Sequence, residues 1–215
     1  MEKNAKGLLS MKTTCMIISG GDFSPIPAPG PDCFVIACDR GYAYAARCGI
    51  TPNLLVSDFD SYDGAVDPAV PVRRFPSEKD DTDTVIAVRA AIERGFRAAD
   101  LYCALGGRLD HTLANLQTAV YAAGHGLSLR FLSPDTEIYT LKDSSLRLPR
   151  REGFSLSVFS AADRSRGVSI RGAKYKLDGV TLSSGFPLGV SNEWAADEAE
   201  IAVADGLLLV VLSRL

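Results

Sequence analysis

Aspartates standing at the ends of apolar runs are the most chemically suggestive residues in this sequence. Asp39 follows CFVIAC, Asp58 and Asp60 follow LLVS, and Asp80, Asp81 and Asp83 lead into an alanine-rich stretch. Gly106-Gly107-Arg108-Leu109-Asp110-His111 follows a further apolar run. Carboxylates brought together repel unless a cation neutralises them, and hard oxygen donors suit Mg²⁺. Magnesium held by a few aspartates usually also takes phosphate oxygens, which points to phosphoryl-type transfer.

Each piece also has a plainer explanation. In Asp58-Phe59-Asp60 the two carboxylates fall on one side of an extended segment, where they grip one metal or simply belong to a turn. In Lys79-Asp80-Asp81-Thr82-Asp83 the Asp and Thr side chains suit the N-terminus of a helix as caps. Only convergence with Asp39, Asp58 and Asp60 makes that segment a site. Gly106 and Gly107 let backbone approach a phosphate beside a helix N-terminus, with Arg108 as a fixed positive fork. The alternative is a tight strand-to-helix turn with Asp110 as N-cap. His111 is a first-turn structural group or a phosphate contact, and His125, between Gly124 and Gly126, is a surface residue. Neither a Walker A loop nor a G-x-G-x-x-G fingerprint is present, which disfavours an ordinary P-loop or dinucleotide enzyme. Ser191-Asn192-Glu193-Trp194 is a loop, or a polar and aromatic grip on a flat heterocycle.

The elements that must position these residues change character along the chain. Short apolar runs at Thr14–Ser19, Cys33–Cys38, Leu54–Ser57, Val72–Phe75, Leu101–Leu105 and Leu129–Leu132 read as strands. Helical spacing at Gly41–Cys48, Thr82–Arg94 and Thr112–Ala123 separates them. Apolar strands alternating with helices predict a parallel sheet covered on both faces, with ligands beyond the carboxyl ends of the strands. After about Pro134 the helical period disappears. Short β-rich runs from Glu137–Leu141 to Leu207–Leu212, Tyr175–Leu177 among them, predict an antiparallel sandwich or barrel. The expected division is residues 12–133 and residues 134–215.

Composition narrows the class of partner. With 23 Lys and Arg against 26 Asp and Glu in 215 residues, the formal net charge is −3, so wholesale attraction to nucleic acid or an anionic membrane is not expected. Acids lead between residues 56 and 83 and bases between 142 and 176, which solvated faces explain. Five scattered cysteines without a C-x-x-C pair argue against a zinc site or a disulfide framework, and suit buried thiols in a reducing cytoplasm. No run approaches the length of a membrane span, and the residues before about Met11 read as a loose leader.

Taken in order, Ala37-Cys38-Asp39, Pro52-Asn53, Ser57-Asp58-Phe59-Asp60-Ser61, Lys79-Asp80, Thr82-Asp83, Gly106-Gly107-Arg108, Asp110-His111, Asn115 and Ser191-Asn192-Glu193 resemble the thiamin pyrophosphokinase family. The resemblance runs from about Met16 to the C-terminus. It implies a Rossmann-like α/β domain that binds ATP and Mg²⁺, followed by a β-sandwich, in a homodimer whose thiamine site lies between subunits. The implied reaction transfers the β,γ-diphosphate of ATP to the thiamine hydroxyl, giving thiamine diphosphate and AMP in the cytoplasm. Asp39, Asp58, Asp60 and Asp83 would surround magnesium and the phosphates, with Asp60 or Asp83 accepting the alcohol proton. Lys79, Thr82, Arg108 and Asp110 would contact ATP, with Asp80 and His111 on the same side. Ser191 and Asn192 would approach thiamine, and Trp194 would stack on it. Two residues depart from the family pattern: Arg40 stands where Gly is frequent, and Ser57 stands in place of the Gly of G-D-F-D-S.

Two other classes compete. A Mg²⁺-dependent phosphatase or nucleotide-sugar transferase would also use a D-x-D segment. A non-catalytic thiamine- or nucleotide-binding module would bind without consuming ATP.

Overall fold

Fourteen strands and three helices are formed by the residues described in the computed structural model, which are 15–59, 64–74 and 81–215. The first half runs β1 (Cys15–Ile18), β2 (Phe34–Cys38), α1 (Gly41–Arg47), β3 (Leu54–Ser57), β4 (Val72–Arg74), α2 (Asp83–Glu93), β5 (Ala98–Tyr102), α3 (Leu109–Gly124) and β6 (Ser128–Leu132). The second half is all strand: β7 (Thr136–Lys142), β8 (Ser145–Pro149), β9 (Phe154–Ser160), β10 (Arg164–Arg171), β11 (Leu177–Ser183), β12 (Gly189–Asn192), β13 (Glu198–Ala202) and β14 (Leu207–Arg214).

One sheet of ten strands crosses both halves, in the order β12-β9-β14-β7-β6-β5-β1-β2-β3-β4. The six strands from β6 to β4 are parallel, and β7, β14, β9 and β12 continue the sheet antiparallel. The change of character expected near residue 134 therefore falls inside a continuous ladder, where Arg130 pairs with Tyr139 and Phe131 with Ile138. A second, four-stranded antiparallel sheet has the order β11-β10-β13-β8. The architecture is a mixed α/β fold with one large sheet and one smaller antiparallel sheet.

Period-two alternation assigns the faces of the parallel part. Cys15, Ile17, Ile36, Val56, Leu101 and Phe131 pack with Ile86, Ala87 and Ala90 of α2 and Ala119 and Ala122 of α3. Met16, Ile18 and Val35 point to the opposite face and meet Ala45 of α1. Burying each large aliphatic side chain contributes about 1.5–3 kcal/mol, so this alternation fixes the register of the parallel strands. Between the two sheets, Leu156, Val158, Leu208 and Val210 pack against Val168, Ile170 and Ile201 to make the second core.

Three elements differ from expectation. The strand expected at Leu101–Leu105 begins three residues earlier, because Asp100 enters the sheet paired in bidentate fashion with Arg130 on β6, both bonds 2.7 Å. Tyr175 is not in a strand, since Asn192 takes its backbone groups. β12 has only four residues and little apolar signal. Its Gly189 lies so close to β9 that an added Cβ would stand 2.6 Å from the Val158 carbonyl oxygen. All five cysteines are free. Burial, with the neighbouring Cys33 as a smaller contribution, pushes the Cys15 thiol up to about 12, which keeps it protonated and unreactive. Among the described residues no helix is long and apolar enough to cross a membrane.

Candidate active site

The parallel strand order reverses at β1, with β2, β3 and β4 added on one side and β5 and β6 on the other. Such a reversal opens a crevice beyond the carboxyl ends of the strands, because the connections on either side leave in opposite directions. A crevice of about 540 Å³ lies there. It is lined by Ser19 to Asp22 after β1, Cys38 to Arg40 after β2, Asp58 after β3, Asp81 to Thr84 at the start of α2, and the Gly106–Arg108 loop after β5. His111, Ala114 and Asn115 of α3 complete its wall.

Asp39, Asp58 and Asp83 come from three different elements, yet each offers a carboxylate oxygen within 4.8 Å of the other two. Asp39 is 4% exposed, so its charge sits at the floor of the crevice rather than in bulk water. The three donors of this cluster are all carboxylate oxygens. That donor chemistry fits a hard divalent cation such as Mg²⁺ and does not fit a thiolate- or imidazole-seeking metal.

The backbone around these carboxylates is unusual. Five non-glycine residues among those described have positive φ, and three of them close strands facing the crevice: Asp39 (45°), Phe59 (65°) and Cys103 (53°). Left-handed backbone costs such residues about 1–3 kcal/mol each and collects where geometry serves function. Close approach of backbone is also built in. A Cβ on Gly41 would stand 2.1 Å from the Ile18 carbonyl oxygen, so only glycine lets α1 start against the end of β1.

On the other wall, Gly106 and Gly107 have φ of 83° and 66°, and the Gly107 N–H donates to the Asp22 carboxylate at 2.9 Å. Asp22 was not singled out by the sequence; its place immediately after the Gly20-Gly21 pair closing β1 is the only signal that marks it. Buried polar contacts tie the walls to the helices. The Ser19 and Thr84 hydroxyls are 2.8 Å apart, and the Asn115 amide donates to the Ala104 carbonyl at 2.8 Å. Arg40 and Arg108 are the guanidinium groups lining this crevice among the described residues. Arg108 is held by Asp110, with Nε at 3.1 Å, and this pairing holds the Asp110 carboxyl below its ordinary range.

Of the residues expected to act, Asp39, Asp58, Thr82, Asp83, Arg108 and His111 line the crevice. Thr82 caps α2 by accepting the Val85 N–H at 3.3 Å. Asp110 is not an N-cap: α3 begins at Leu109, and Asp110 turns back onto Arg108 and its neighbour's N–H. Asp60, Lys79 and Asp80 lie outside the described residues.

The Ser191–Trp194 segment is elsewhere. β12 is six strands from β1 in the sheet order, about 30 Å at ~4.8 Å per strand, so it cannot reach the crevice of its own chain. Trp194 is 8% exposed within the sandwich core, and its indole N–H donates to the Leu148 carbonyl at 3.2 Å. The ring expected to stack on a heterocycle is thus a packing residue within this chain. The Asn192 amide accepts from the Tyr175 N–H at 2.9 Å and donates to the Tyr175 carbonyl at 2.6 Å, which fixes the loop before β11. Ser191 remains exposed, with φ of 57° and its N–H donating to Ser157.

A crevice of clustered carboxylates, a glycine turn and guanidinium groups, on a parallel sheet that continues into an antiparallel sandwich, defines a phosphoryl-group transferase. Comparison with known proteins gives the particular family. Residues 31–131 match the family model for the thiamin pyrophosphokinase catalytic domain, and residues 143–208 match the one for its vitamin B1 binding domain. This chain belongs to the thiamin pyrophosphokinase family. It is 24% identical over 210 residues to thiamine pyrophosphokinase of Bacillus subtilis, covering 93% of this chain and 98% of that protein. The crystal structure of the Bacillus subtilis enzyme superposes with a TM-score of 0.84 at 23% identity, over 94% of this chain and 99% of that one. The Geobacillus thermodenitrificans thiamin pyrophosphokinase structure gives 0.79 at 24% identity, over 93% and 97%.

Proposed function

We propose that this protein is a thiamine diphosphokinase, transferring the β,γ-diphosphate of ATP to the hydroxyl of thiamine and releasing AMP. The reading rests above all on the convergence of Asp39, Asp58 and Asp83 in a crevice at the switch point of the sheet. We read the parallel half, 12–133, as a Rossmann-like domain that takes ATP, and 134–215 as the part that completes the thiamine site.

Asp39, Asp58 and Asp83 would hold Mg²⁺, with Asp60 as a further candidate ligand. When bound it supplies charge neutralisation to the polyphosphate, which carries much of such a reaction. Arg108 and Arg40 face the same phosphate oxygens as fixed positive charges, and the N-terminus of α3 presents N–H groups to them. Thr82 and His111 line the same crevice, and Lys79, Asp80 and Asp110 would join them as ATP contacts. The thiamine oxygen forms a bond to the β-phosphorus, the bond from that phosphorus to the α,β-bridging oxygen breaks, and AMP leaves with that oxygen. The hydroxyl proton goes to a carboxylate, Asp60 or Asp83.

The reading assigns the crevice to ATP and the β12 edge to thiamine, and that edge, six strands away, is too far to meet the crevice within one chain. A second copy supplies it: Ser191 approaches thiamine, while Asn192 and Trp194 hold the shape of the segment. Exposed Tyr175, Phe186, Leu188 and Val190 around this edge give the homodimer an apolar contact. Five free cysteines fit a cytoplasmic setting.

The deciding assay supplies purified protein with Mg²⁺, ATP and thiamine, and separates products by chromatography. Equimolar AMP and thiamine diphosphate are expected. Inorganic phosphate alone, release of a nucleoside diphosphate from a nucleotide sugar, or thiamine binding without ATP consumption would overturn the assignment. Asp58→Asn should retain its circular dichroism and lose about 100-fold or more in kcat, the scale of removing one group that stabilises transition-state charge.

A further inference from the structure

Ser57 closes β3 with no exposed surface, and one hydroxyl does two things there. Its O–H donates to Asp39 Oδ1 at 2.7 Å, and its oxygen accepts the Phe59 N–H at 2.9 Å. A carboxylate is an acceptor only, so the direction of the first bond is fixed, and the second uses a lone pair the hydroxyl has left.

The two partners are two of the three left-handed residues that face the crevice. Asp39 has φ of 45° and Phe59 of 65°, and neither has a glycine's freedom to adopt such a backbone. Asp58 stands between Ser57 and Phe59, so the turn that Ser57 closes sets the direction in which Asp58 leaves the strand. The same hydroxyl therefore fixes the rotamer of one carboxylate and the backbone of the next, on two neighbouring strands. Asp39 and Asp58 are two of the three residues whose carboxylate oxygens lie within 4.8 Å of one another.

We propose that Ser57 is a positioning residue that presets the Asp39–Asp58 pair for a divalent cation. This rests on the metal reading of the carboxylate cluster. Without the hydroxyl, Asp39 loses one of the bonds that orient it and the Phe59 turn loses a closing bond, so the pair is less well preset for a cation. Losing a hydrogen-bond partner behind a metal ligand ordinarily costs about 10–100-fold in metal affinity. The defect belongs to binding of the ion, and excess metal should recover it.

The test is Mn²⁺ binding to the nucleotide-free protein, followed by electron paramagnetic resonance of the free ion, with Mg²⁺ dependence of turnover measured alongside. Ser57→Ala should keep its circular dichroism, raise the Mn²⁺ Kd about tenfold and raise half-saturating Mg²⁺ similarly. At saturating Mg²⁺ its kcat should return to within about threefold of wild type, which a general loosening of the fold would not permit. Ser57→Thr, which keeps the hydroxyl, should restore Mn²⁺ affinity. Should Ser57→Ala not fold, Ser57→Cys is judged by the same measurements, since it retains the volume and weakens both bonds. Wild-type Mn²⁺ affinity in a folded variant without the hydroxyl, beside loss of binding in Asp58→Asn, would overturn the role of Ser57 and leave the metal site standing. Equal binding by wild type and Asp58→Asn would instead remove the metal reading, and this inference with it.

Discussion

Asp39 and Gly41 lie two residues apart and show how tightly single residues are constrained at the crevice. Asp39 is buried with a left-handed backbone, and Gly41 has room for nothing larger than hydrogen. A methyl group at Gly41 would push on the carbonyls of both Ile18 and Ser19, 2.1 and 2.9 Å from the new Cβ. Gly41→Ala should therefore cost about 3 kcal/mol by urea denaturation, the upper range for overpacking. Gly124 in α3 has nothing within 4 Å of the same position, so Gly124→Ala should be neutral or stabilise by up to about 1 kcal/mol. Equal effects at the two sites would refute the steric account. Asp39, Asp58 and Asp83 were legible in the sequence because carboxylates directly after an apolar run or opening a helix are distinctive. Asp22, the place of Arg40 in the crevice and the bridging task of Ser57 were not, since such tasks appear only when distant loops meet.

At the level of elements, α2 connects stability to the site. Its first residue is Asp83, and Thr82 caps it by accepting the Val85 N–H. Thr82→Ala should lower global stability by about 1 kcal/mol in urea, the usual cost of losing such a cap. Because Asp83 rides on the first turn, half-saturating Mg²⁺ should rise in the same variant. Thr82→Ser, which keeps the hydroxyl, should restore both, and a change in stability alone would separate the cap from the site. Helices and parallel strands were readable because burial imposes their periods, as Ile86, Ala87 and Ala90 of α2 show by packing on the sheet. β12 and the true start of β5 were not. Gly189 and Asp100 do not look like strand residues until a neighbouring backbone and Arg130 are beside them.

The whole molecule poses a question of geometry that no single element answers. Its ten-stranded sheet puts the carboxylate crevice and the Ser191 edge six strands apart, while the thiamin pyrophosphokinase models match both halves. If the β12 edge belongs to the reaction site, as proposed, parts this far apart in one chain meet only when different chains bring them together. The proposed two-fold dimer would do so twice, pairing the crevice of each copy with the β12 edge of the other. An assay of mixed variants follows from this arrangement. Asp58→Asn damages the crevice and leaves β12 intact, whereas a bulky Ser191→Trp blocks the edge and leaves the crevice intact. Each homodimer alone should be nearly inactive. After dissociation and random reassociation, half the dimers are mixed. In those, one site receives both defects and the other receives none, so about a quarter of wild-type activity should return. If each site were built within one chain, mixing would restore nothing, because every crevice would keep the defect of its own chain. Sedimentation of each variant, showing the same dimer before mixing, excludes a failure of assembly as the cause of either result.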